Sequence, residues 1–241
     1  MAALLSVIGL SKHFGALKAV DNLSFDVAQG EALGILGPNG AGKSTLFNLI
    51  TGDVRPSAGT VRLRDDDITN LPSYVRCRRG IGRSYQIPKP FGGMTVFENT
   101  LAAASFASGK GAGACYDLSI DVLERTGLLG KANFFAGQLT LLERKRLELA
   151  RALATKPALL LLDEIAGGLT EAECQELLEE IKRVKASDIA IVWIEHVVHV
   201  LLSIVDRLLV IDFGKHLAEG LPHDVMAKAE VQAVYMGIEA E

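Results

Sequence analysis

A short stretch near the N-terminus carries the residue types that proteins use to bind phosphate. Its consecutive residues are Gly37, Pro38, Asn39, Gly40, Ala41, Gly42, Lys43, Ser44 and Thr45. They follow the pattern of a glycine, four residues, a second glycine, a lysine and a serine or threonine. Glycines let successive backbone N–H groups point at one anion, while Lys43 supplies a cation and Ser44 a hydroxyl for Mg²⁺. We therefore predict binding of nucleotide phosphates here rather than a chance glycine-rich turn.

Two carboxylates later in the chain add a second chemical function. Asp163 and Glu164 come directly after the apolar residues 158–162. A fully apolar run predicts a parallel strand buried on both faces, and open α/β sheets bind ligands at the C-terminal ends of such strands. Beside a phosphate loop, Asp163 would hold Mg²⁺ and Glu164 would orient and polarise an attacking water. The alternative is an acidic pair that caps the next turn, but the combination favours transfer of a phosphoryl group to water.

Three more side chains occur where they could complete such a site. His196 follows an apolar strand candidate at 190–194 and could hydrogen-bond a γ-phosphate or fix the water. Gln86 follows another strand candidate and precedes a proline-rich loop, where it could sense Mg²⁺ or water. Phe14 lies upstream of the phosphate loop and could either stack on adenine or pack in the core. Each signal is weak alone, since a strand-end histidine is more often structural.

The residues around these candidates predict a chain of alternating strands and helices. A strand at 32–36 leads into the phosphate loop, and an amphipathic helix follows from residue 45. Residues 88–150 interrupt the alternation and predict a helical insertion. Thr95 would cap a helix that begins near Val96 with Glu98 in its first turn, and 102–114 would be a helix fraying into a flexible loop. For the helix at 142–154 we expect an apolar inner face of Leu147, Leu149, Ala150 and Leu153, and an outer face of Glu143, Arg144, Lys145, Arg146 and Glu148.

Composition limits the class of protein. The 241 residues are 49% hydrophobic, which suits one large α/β domain or a core with a small subdomain. The net charge of −4 gives no support for a nucleic-acid partner. The cysteines, Cys77, Cys115 and Cys174, fit no metal or redox pattern and predict free thiols in a reduced cytosolic compartment. We expect no signal peptide and no segment that crosses a bilayer, which would need roughly 20 apolar residues.

Taken together, and over nearly the whole chain, these features resemble the nucleotide-binding subunit of ATP-binding cassette (ABC) transporters. The motifs occur in the order typical of that family: Phe14 as the aromatic of the adenine loop, residues 37–45 as Walker A, Gln86 as the Q-loop, residues 159–163 as Walker B, Glu164 as the catalytic glutamate and His196 as the switch histidine.

Within the family, the chain looks most like the larger ATPase of importers for branched-chain (hydrophobic) amino acids. The phrases that carry this similarity are residues 37–48, 94–99, 166–170, 194–196 and 234–237. The resemblance implies one α/β ABC ATPase domain over residues 1–241, with a P-loop NTPase (RecA-like) core and an antiparallel β subdomain. The core would comprise 1–87 and 151–241, and the inserted helical subdomain, with the signature region, would comprise 88–150.

The resemblance also implies what the protein works with. ATP and Mg²⁺ would be its cofactors, with Ser44, Gln86 and Asp163 around the metal and with Lys43, Gln86, Glu164 and His196 in catalysis. Its partners would be a second ABC ATPase subunit, two transmembrane permease subunits and an extracytoplasmic substrate-binding protein, and no nucleic acid. The permease would hold it at the cytoplasmic face of the plasma (inner) membrane. Closure of an ATPase dimer on ATP, and opening after hydrolysis, would drive transport.

One segment departs from the pattern of the family. The signature Leu-Ser-Gly-Gly-Gln is replaced by Leu139, Thr140, Leu141, Leu142 and Glu143. Thr140 keeps a hydroxyl at a helix N-terminus, but the loss of both glycines disfavours close approach of the backbone to a γ-phosphate. In this family the signature serves the nucleotide on the opposite subunit. We therefore expect an asymmetric pair, in which the partner's site receives the weakened signature; Ile165, in place of the usual proline after the glutamate, is not expected to abolish hydrolysis.

Three other functions remain as alternatives. An exporter ATPase, such as the related lipopolysaccharide-export subunit, would share the fold. A non-transport regulator or nucleic-acid-linked cassette protein is disfavoured by the single cassette and the acidic balance. The changed signature suggests a subunit that only binds nucleotide, but Lys43, Asp163, Glu164 and His196 argue against it. The solute stays open, with hydrophobic amino acids first and urea, amides or small aromatic acids also compatible.

Overall fold

The structure, a computed structural model, describes residues 3–236. Its strands are β1 (Ala3–Phe14), β2 (Leu17–Ala28), β3 (Ala32–Leu36), β4 (Ala58–Leu63), β5 (Asp66–Asp67), β6 (Ile81–Arg83), β7 (Leu159–Asp163), β8 (Ala190–Ile194), β9 (Arg207–Asp212) and β10 (Lys215–Gly220). Its α-helices are α1 (Lys43–Thr51), α2 (Ser73–Arg78), α3 (Val96–Ser108), α4 (Tyr116–Arg125), α5 (Leu141–Ala154), α6 (Glu171–Lys185), α7 (Val198–Leu202), α8 (Pro222–Met226) and α9 (Ala229–Met236). Gly237, quoted above in the C-terminal phrase, lies outside the described residues.

The larger sheet brings the predicted site residues to one edge. Its strand order is β10-β9-β3-β8-β7-β6, and every neighbouring pair except β10–β9 is parallel. Strands β3, β7 and β8 are buried along their whole length, as their apolar sequences predict. Because parallel strands end at the same edge, the residues that follow β3, β7 and β8 lie close together.

The smaller sheet is antiparallel and has the order β2-β1-β4-β5. The β1–β2 hairpin turns at Gly15, whose φ of +61° is a conformation that glycine adopts without strain. This turn places Phe14 at the tip of the hairpin. The two sheets together confirm the predicted fold class, an α/β P-loop NTPase core with an antiparallel β subdomain.

Two hydrophobic cores hold β7 from opposite faces. Leu159 and Leu161 belong to the core that includes the smaller sheet and α1, whereas Leu160 and Leu162 belong to the core built with α5 and α6. Trp193, the single tryptophan of the chain, is fully buried in β8 next to β7. The strand is therefore fixed on both faces up to Asp163, the first of the two acidic residues predicted to act on the nucleotide.

Helices α3, α4 and α5 pack against one another beyond the sheet edge. Thr95 caps α3 in a capping box with Glu98, as predicted. Helix α3 ends at Ser108, and a 3₁₀ turn at Ala112–Cys115 follows, so the stretch 102–114 is more regular than the predicted fraying helix. The division of the chain at residues 88 and 150 stays a prediction. Among residues 3–236, none of the helices is both long enough and apolar enough to cross a membrane.

The predicted outer face of α5 is wrong for two residues. The side chains of Lys145 and Glu148 are buried, with 2% and 4% of their surface exposed. Glu148 accepts hydrogen bonds from the backbone N–H of Lys89 and from Arg151, and Lys145 donates to two backbone carbonyls. Helical periodicity assigns charged residues to solvent, but polar partners from other segments make burial possible here.

Candidate functional site

The phosphate loop joins the end of β3 to the start of α1, as its sequence predicts. Gly37 and Gly42 are required by space, because a side chain at either would collide with the carbonyl oxygen of Ile211 or Ala19 respectively. Lys43 is 6% exposed, and its ammonium donates to the carbonyl oxygens of Gly37 at 2.6 Å and Pro38 at 3.0 Å. Burial lowers the pKa of Lys43, and the charges of Glu164 and Asp163 oppose this shift.

Asp163 is held by a residue that the sequence did not single out. The guanidinium of Arg83 lies 2.7 Å from Oδ2 of Asp163, and both side chains are less than one-tenth exposed. The same guanidinium donates to Asn48 on α1 at 2.7 Å. Arg83 ends β6, which pairs with β7, so the two side chains leave the sheet at the same edge. This contact follows from the pairing of β6 with β7, and the sequence alone does not predict which strands are neighbours.

Glu164 is the point at which the predicted catalytic residues meet. Nε2 of His196 lies 2.6 Å from Oε1 of Glu164, and the side-chain amide of Gln86 donates to Oε2. The backbone of Glu164 has a φ of +47°, which is uncommon for a residue with a side chain and must be held by its surroundings. A carboxylate fixed by two neighbouring groups is suited to accept a proton from a water molecule.

A cleft of about 410 Å³ lies in front of the phosphate loop. Residues 39–45 line it, and so do Glu164 and His196. Phe14, which is 50% exposed, lines the cleft, so it is an exposed aromatic rather than a core residue. Phe213 in the β9–β10 turn also lines the cleft and is 81% exposed. Phe213 is not among the residues predicted from the sequence. Its only signal is an aromatic residue next to Gly214 in a turn, which is weak evidence for a binding site.

The segment 139–143 lies outside the lining of this cleft. Thr140 caps α5, and its hydroxyl accepts the N–H of Glu143 at 3.4 Å. The carboxylate of Glu143 accepts a hydrogen bond from the backbone N–H of Thr140 at 2.9 Å and forms an ion pair with Lys131. The side chain of Leu141 is 43% exposed, and that of Leu142 is buried. The N-terminus of α5 therefore already has a carboxylate of its own.

The comparisons with known proteins agree with this geometry. Residues 20–167 match the family described as ABC transporter. The chain belongs to this family. It is an ATP-hydrolysing subunit of the ABC type, because nearly its whole length aligns with ATP-binding proteins of such transporters.

Two relatives and one solved structure define the similarity. The high-affinity branched-chain amino acid transport ATP-binding protein LivG of Salmonella typhimurium is 37% identical, over 97% of this chain and 98% of LivG. The lipopolysaccharide export system ATP-binding protein LptB of Escherichia coli is 32% identical, over 98% of both chains. An ATP-binding cassette of an ABC transporter in its ADP conformation has a TM-score of 0.89 and 30% identity, over 98% of this chain and 100% of that one.

Proposed function

We propose that this ABC ATPase hydrolyses ATP to drive an importer of branched-chain or hydrophobic amino acids, or of related small solutes such as urea and amides. The observation that carries the hydrolytic part is the contact of Glu164, which lines the phosphate-loop cleft, with both His196 and Gln86. The similarity to a branched-chain amino acid transport protein supports the class of solute.

ATP fits the cleft in one direction. The N–H groups between Gly37 and Thr45 and the start of α1 suit the phosphates, and Lys43 can exchange its bonds to backbone carbonyls for phosphate oxygens. Phe14 lines the same cleft as Glu164, and its exposed ring would stack on adenine. With the adenine beside Phe14 and the phosphates on the loop, the γ-phosphate would lie toward Glu164, as hydrolysis requires.

The residues present fit Mg²⁺. This ion prefers oxygen ligands and usually takes only one or two from the protein, the rest coming from phosphates and water. The hydroxyl of Ser44 and the carboxylate of Asp163 provide such oxygens, and Arg83 occupies only Oδ2 of Asp163. The side-chain oxygen of Gln86, whose amide nitrogen donates to Glu164, would be the third oxygen of the predicted set. When bound, Mg²⁺ would neutralise charge on the β- and γ-phosphates.

Glu164 is proposed to act on the attacking water. Its carboxylate would take the proton as the water oxygen approaches the γ-phosphorus, and His196 and Gln86 would keep that carboxylate in place. His196 is the more accessible of the pair, with 43% of its side chain exposed against 13% for Glu164. Because it also lines the cleft, the imidazole would be available to hydrogen-bond a phosphate oxygen.

Transport requires partners, and two surfaces suit them. We propose that a second ABC ATPase subunit supplies the signature that completes this cleft, while residues 139–143 face the partner's nucleotide. A groove of about 560 Å³ runs between α2 and β6 on one side and α3 and α5 on the other. Its exposed aromatics, Tyr74, Tyr85, Phe91 and Phe106, suit contact with a permease at the cytoplasmic face of the membrane. A substrate-binding protein outside the membrane would deliver the solute.

The test is ATP turnover and uptake by the reconstituted complex. We expect strong stimulation of ATPase activity by the second ATPase, the permease and a solute-loaded binding protein, and uptake of leucine-like amino acids. The Glu164→Gln variant should bind ATP, form the closed dimer and release phosphate at least about 100-fold more slowly. Normal turnover by this variant would refute the assigned base.

The similarity to LptB supports a second candidate, an exporter ATPase. Both candidates share the site and differ in the permease. Uptake that depends on a binding protein identifies the importer, whereas outward movement of a lipid substrate from vesicles identifies the exporter.

A further inference from the structure

Two buried charges lie behind the cleft, and neither lines it. Lys145 on α5 is 2% exposed and Glu195, which directly follows β8, is 1% exposed. The ammonium of Lys145 donates to the carbonyl oxygens of Gln86 and Glu164, each at 3.1 Å. Two of the three residues that meet at the catalytic carboxylate are thus attached through their backbones to one side chain of α5.

Glu195 does the same for N–H groups. Its Oε1 accepts the N–H of Ala166 at 2.8 Å, and its Oε2 accepts the N–H of His196 at 2.9 Å. Ala166 is two residues beyond Glu164 in the turn after β7. Lys145 therefore donates to backbone carbonyls, and Glu195 accepts from backbone N–H groups. Together they contact the backbones of Gln86, Glu164 and His196.

The two charges also interact with each other. Burial lowers the pKa of Lys145, and among the carboxylates Glu195 opposes that shift most. Burial raises the pKa of Glu195. Taking both ions out of water costs free energy, and apolar side chains could fill the same space at lower cost. The pair is therefore poorly explained by stability alone, and its contacts with the backbones of the site residues point to a role in geometry.

The backbone at Glu164 explains why such support is needed. Its positive φ persists only if neighbouring groups determine it. The backbone N–H of Glu164 donates to the carbonyl oxygen of Ile194 at 2.9 Å. Its own carbonyl oxygen accepts from the backbone N–H of Gly167 and from the ammonium of Lys145. Of these contacts, only Lys145 comes from α5, whose N-terminus carries the segment 139–143.

We propose that Lys145 and Glu195 are positioning residues that fix the catalytic geometry of Gln86, Glu164 and His196 and link it to the position of α5. The proposal rests on the hydrolytic function proposed above. A shift of α5 would then move the backbone of Glu164 directly. Because catalytic groups misplaced by about 1 Å can lose on the order of 100-fold in rate, the pair should affect turnover much more than nucleotide binding.

The experiment compares four variants in the reconstituted complex. Lys145→Met removes the charge and the donors at similar length, Lys145→Arg keeps both, and Glu195→Gln removes the charge at the same shape. Lys182→Met is the matched control, since Lys182 lies on the exposed face of α6 with 47% of its side chain exposed. The measurements are kcat per folded protein, the Kd for ATP and the melting temperature.

We expect kcat to fall roughly 10- to 100-fold in Lys145→Met and about tenfold in Glu195→Gln, with the Kd for ATP within about threefold of wild type. Lys145→Arg should recover most of the lost kcat, and Lys182→Met should leave kcat unchanged. A variant that only lowers the melting temperature, with kcat within about twofold of wild type, would overturn the proposal. So would an equal loss in the Lys145→Met and Lys145→Arg proteins.

The outcomes separate this proposal from the proposed function. If the wild-type complex hydrolyses ATP and Lys145→Met is equally active, only the positioning role is wrong. If the wild-type complex does not hydrolyse ATP, both are wrong. If Lys145→Met does not fold, the test uses Glu195→Gln and Lys145→Arg instead. Glu195→Gln must then lose kcat without losing ATP affinity, and Lys145→Arg must keep most of its kcat.

Discussion

Replacing Arg83 by methionine tests how the carboxylate of Asp163 is held. The substitution removes the guanidinium from Asp163 and leaves a buried carboxylate without its cation. Breaking a buried ion pair from one side costs about 3–5 kcal/mol. For a chain of this size each kcal/mol lowers the melting temperature by about 2–4 °C, so we expect Arg83→Met to melt about 6–20 °C below wild type.

The structure offers a matched control for this change. Arg79 pairs with Asp66 at 3.1 Å, but the two side chains are 42% and 74% exposed. Exposed pairs contribute at most about 1 kcal/mol, so Arg79→Met should melt within about 4 °C of wild type. Calorimetry on the three proteins without nucleotide measures both differences under one condition.

Magnesium should partly reverse the defect of Arg83→Met. Asp163 attracts Mg²⁺ more strongly once Arg83 no longer shares its charge, because two cations at one carboxylate repel each other. A non-hydrolysable ATP analogue with Mg²⁺ should therefore raise the melting temperature of Arg83→Met by more than it raises that of wild type. The reasoning fails if Arg83→Met melts no lower than Arg79→Met, or if the ligand stabilises all three proteins equally.

Three other predictions follow from the same structure. Phe14→Ala should weaken ATP binding at least about fivefold, the equivalent of roughly 1 kcal/mol of stacking, but leave binding of inorganic triphosphate unchanged in competition assays. Leu141→Gly combined with Glu143→Gln restores part of the family signature. In a complex whose only active site is the partner's, obtained with Lys43→Ala here, it should raise ATP turnover roughly tenfold. Burial of Glu180 raises its pKa from 4.5 to about 7. The folded protein then keeps a proton that the unfolded chain releases, so stability should fall relative to Glu180→Gln as pH rises from about 4.5 to about 7 in denaturant titrations.

Each of these predictions has an outcome that would contradict it. Equal weakening of ATP and triphosphate binding by Phe14→Ala would mean that the ring acts on the loop and not on adenine. Unchanged turnover after restoration of the signature would mean that residues 139–143 do not limit the partner's site. A constant stability difference between wild type and Glu180→Gln across that pH range would show that Glu180 stays ionised beside Arg146.

The sequence predicted the elements whose signals are local. The apolar runs of β3, β7 and β8 indicate burial on both faces, and Thr95 with Glu98 marks the start of α3. The fold class is confirmed for this reason. The structure also brings Gln86, Glu164 and His196 together, while the roles assigned to them and to the rest of the site stay predictions.

What the sequence did not show depends on contacts between distant segments. Helical periodicity assigns Lys145 to solvent, because a lysine within a helix usually belongs to the polar face, but the carbonyls of Gln86 and Glu164 hold its ammonium in the interior. Arg83 contacts Asp163 across 80 residues of chain. Such partners follow from the order of strands in the sheet, which periodicity and local motifs do not specify.

Trp193 provides an intrinsic fluorescent probe of folding in every variant. It is the only indole in the chain, is fully shielded from water, and lies three residues before His196 in a strand that borders both β3 and β7. Its emission should therefore stay at short wavelength until the central sheet itself opens, and fraying at the chain ends should not change it. Intrinsic fluorescence can then follow unfolding of the larger sheet without any label.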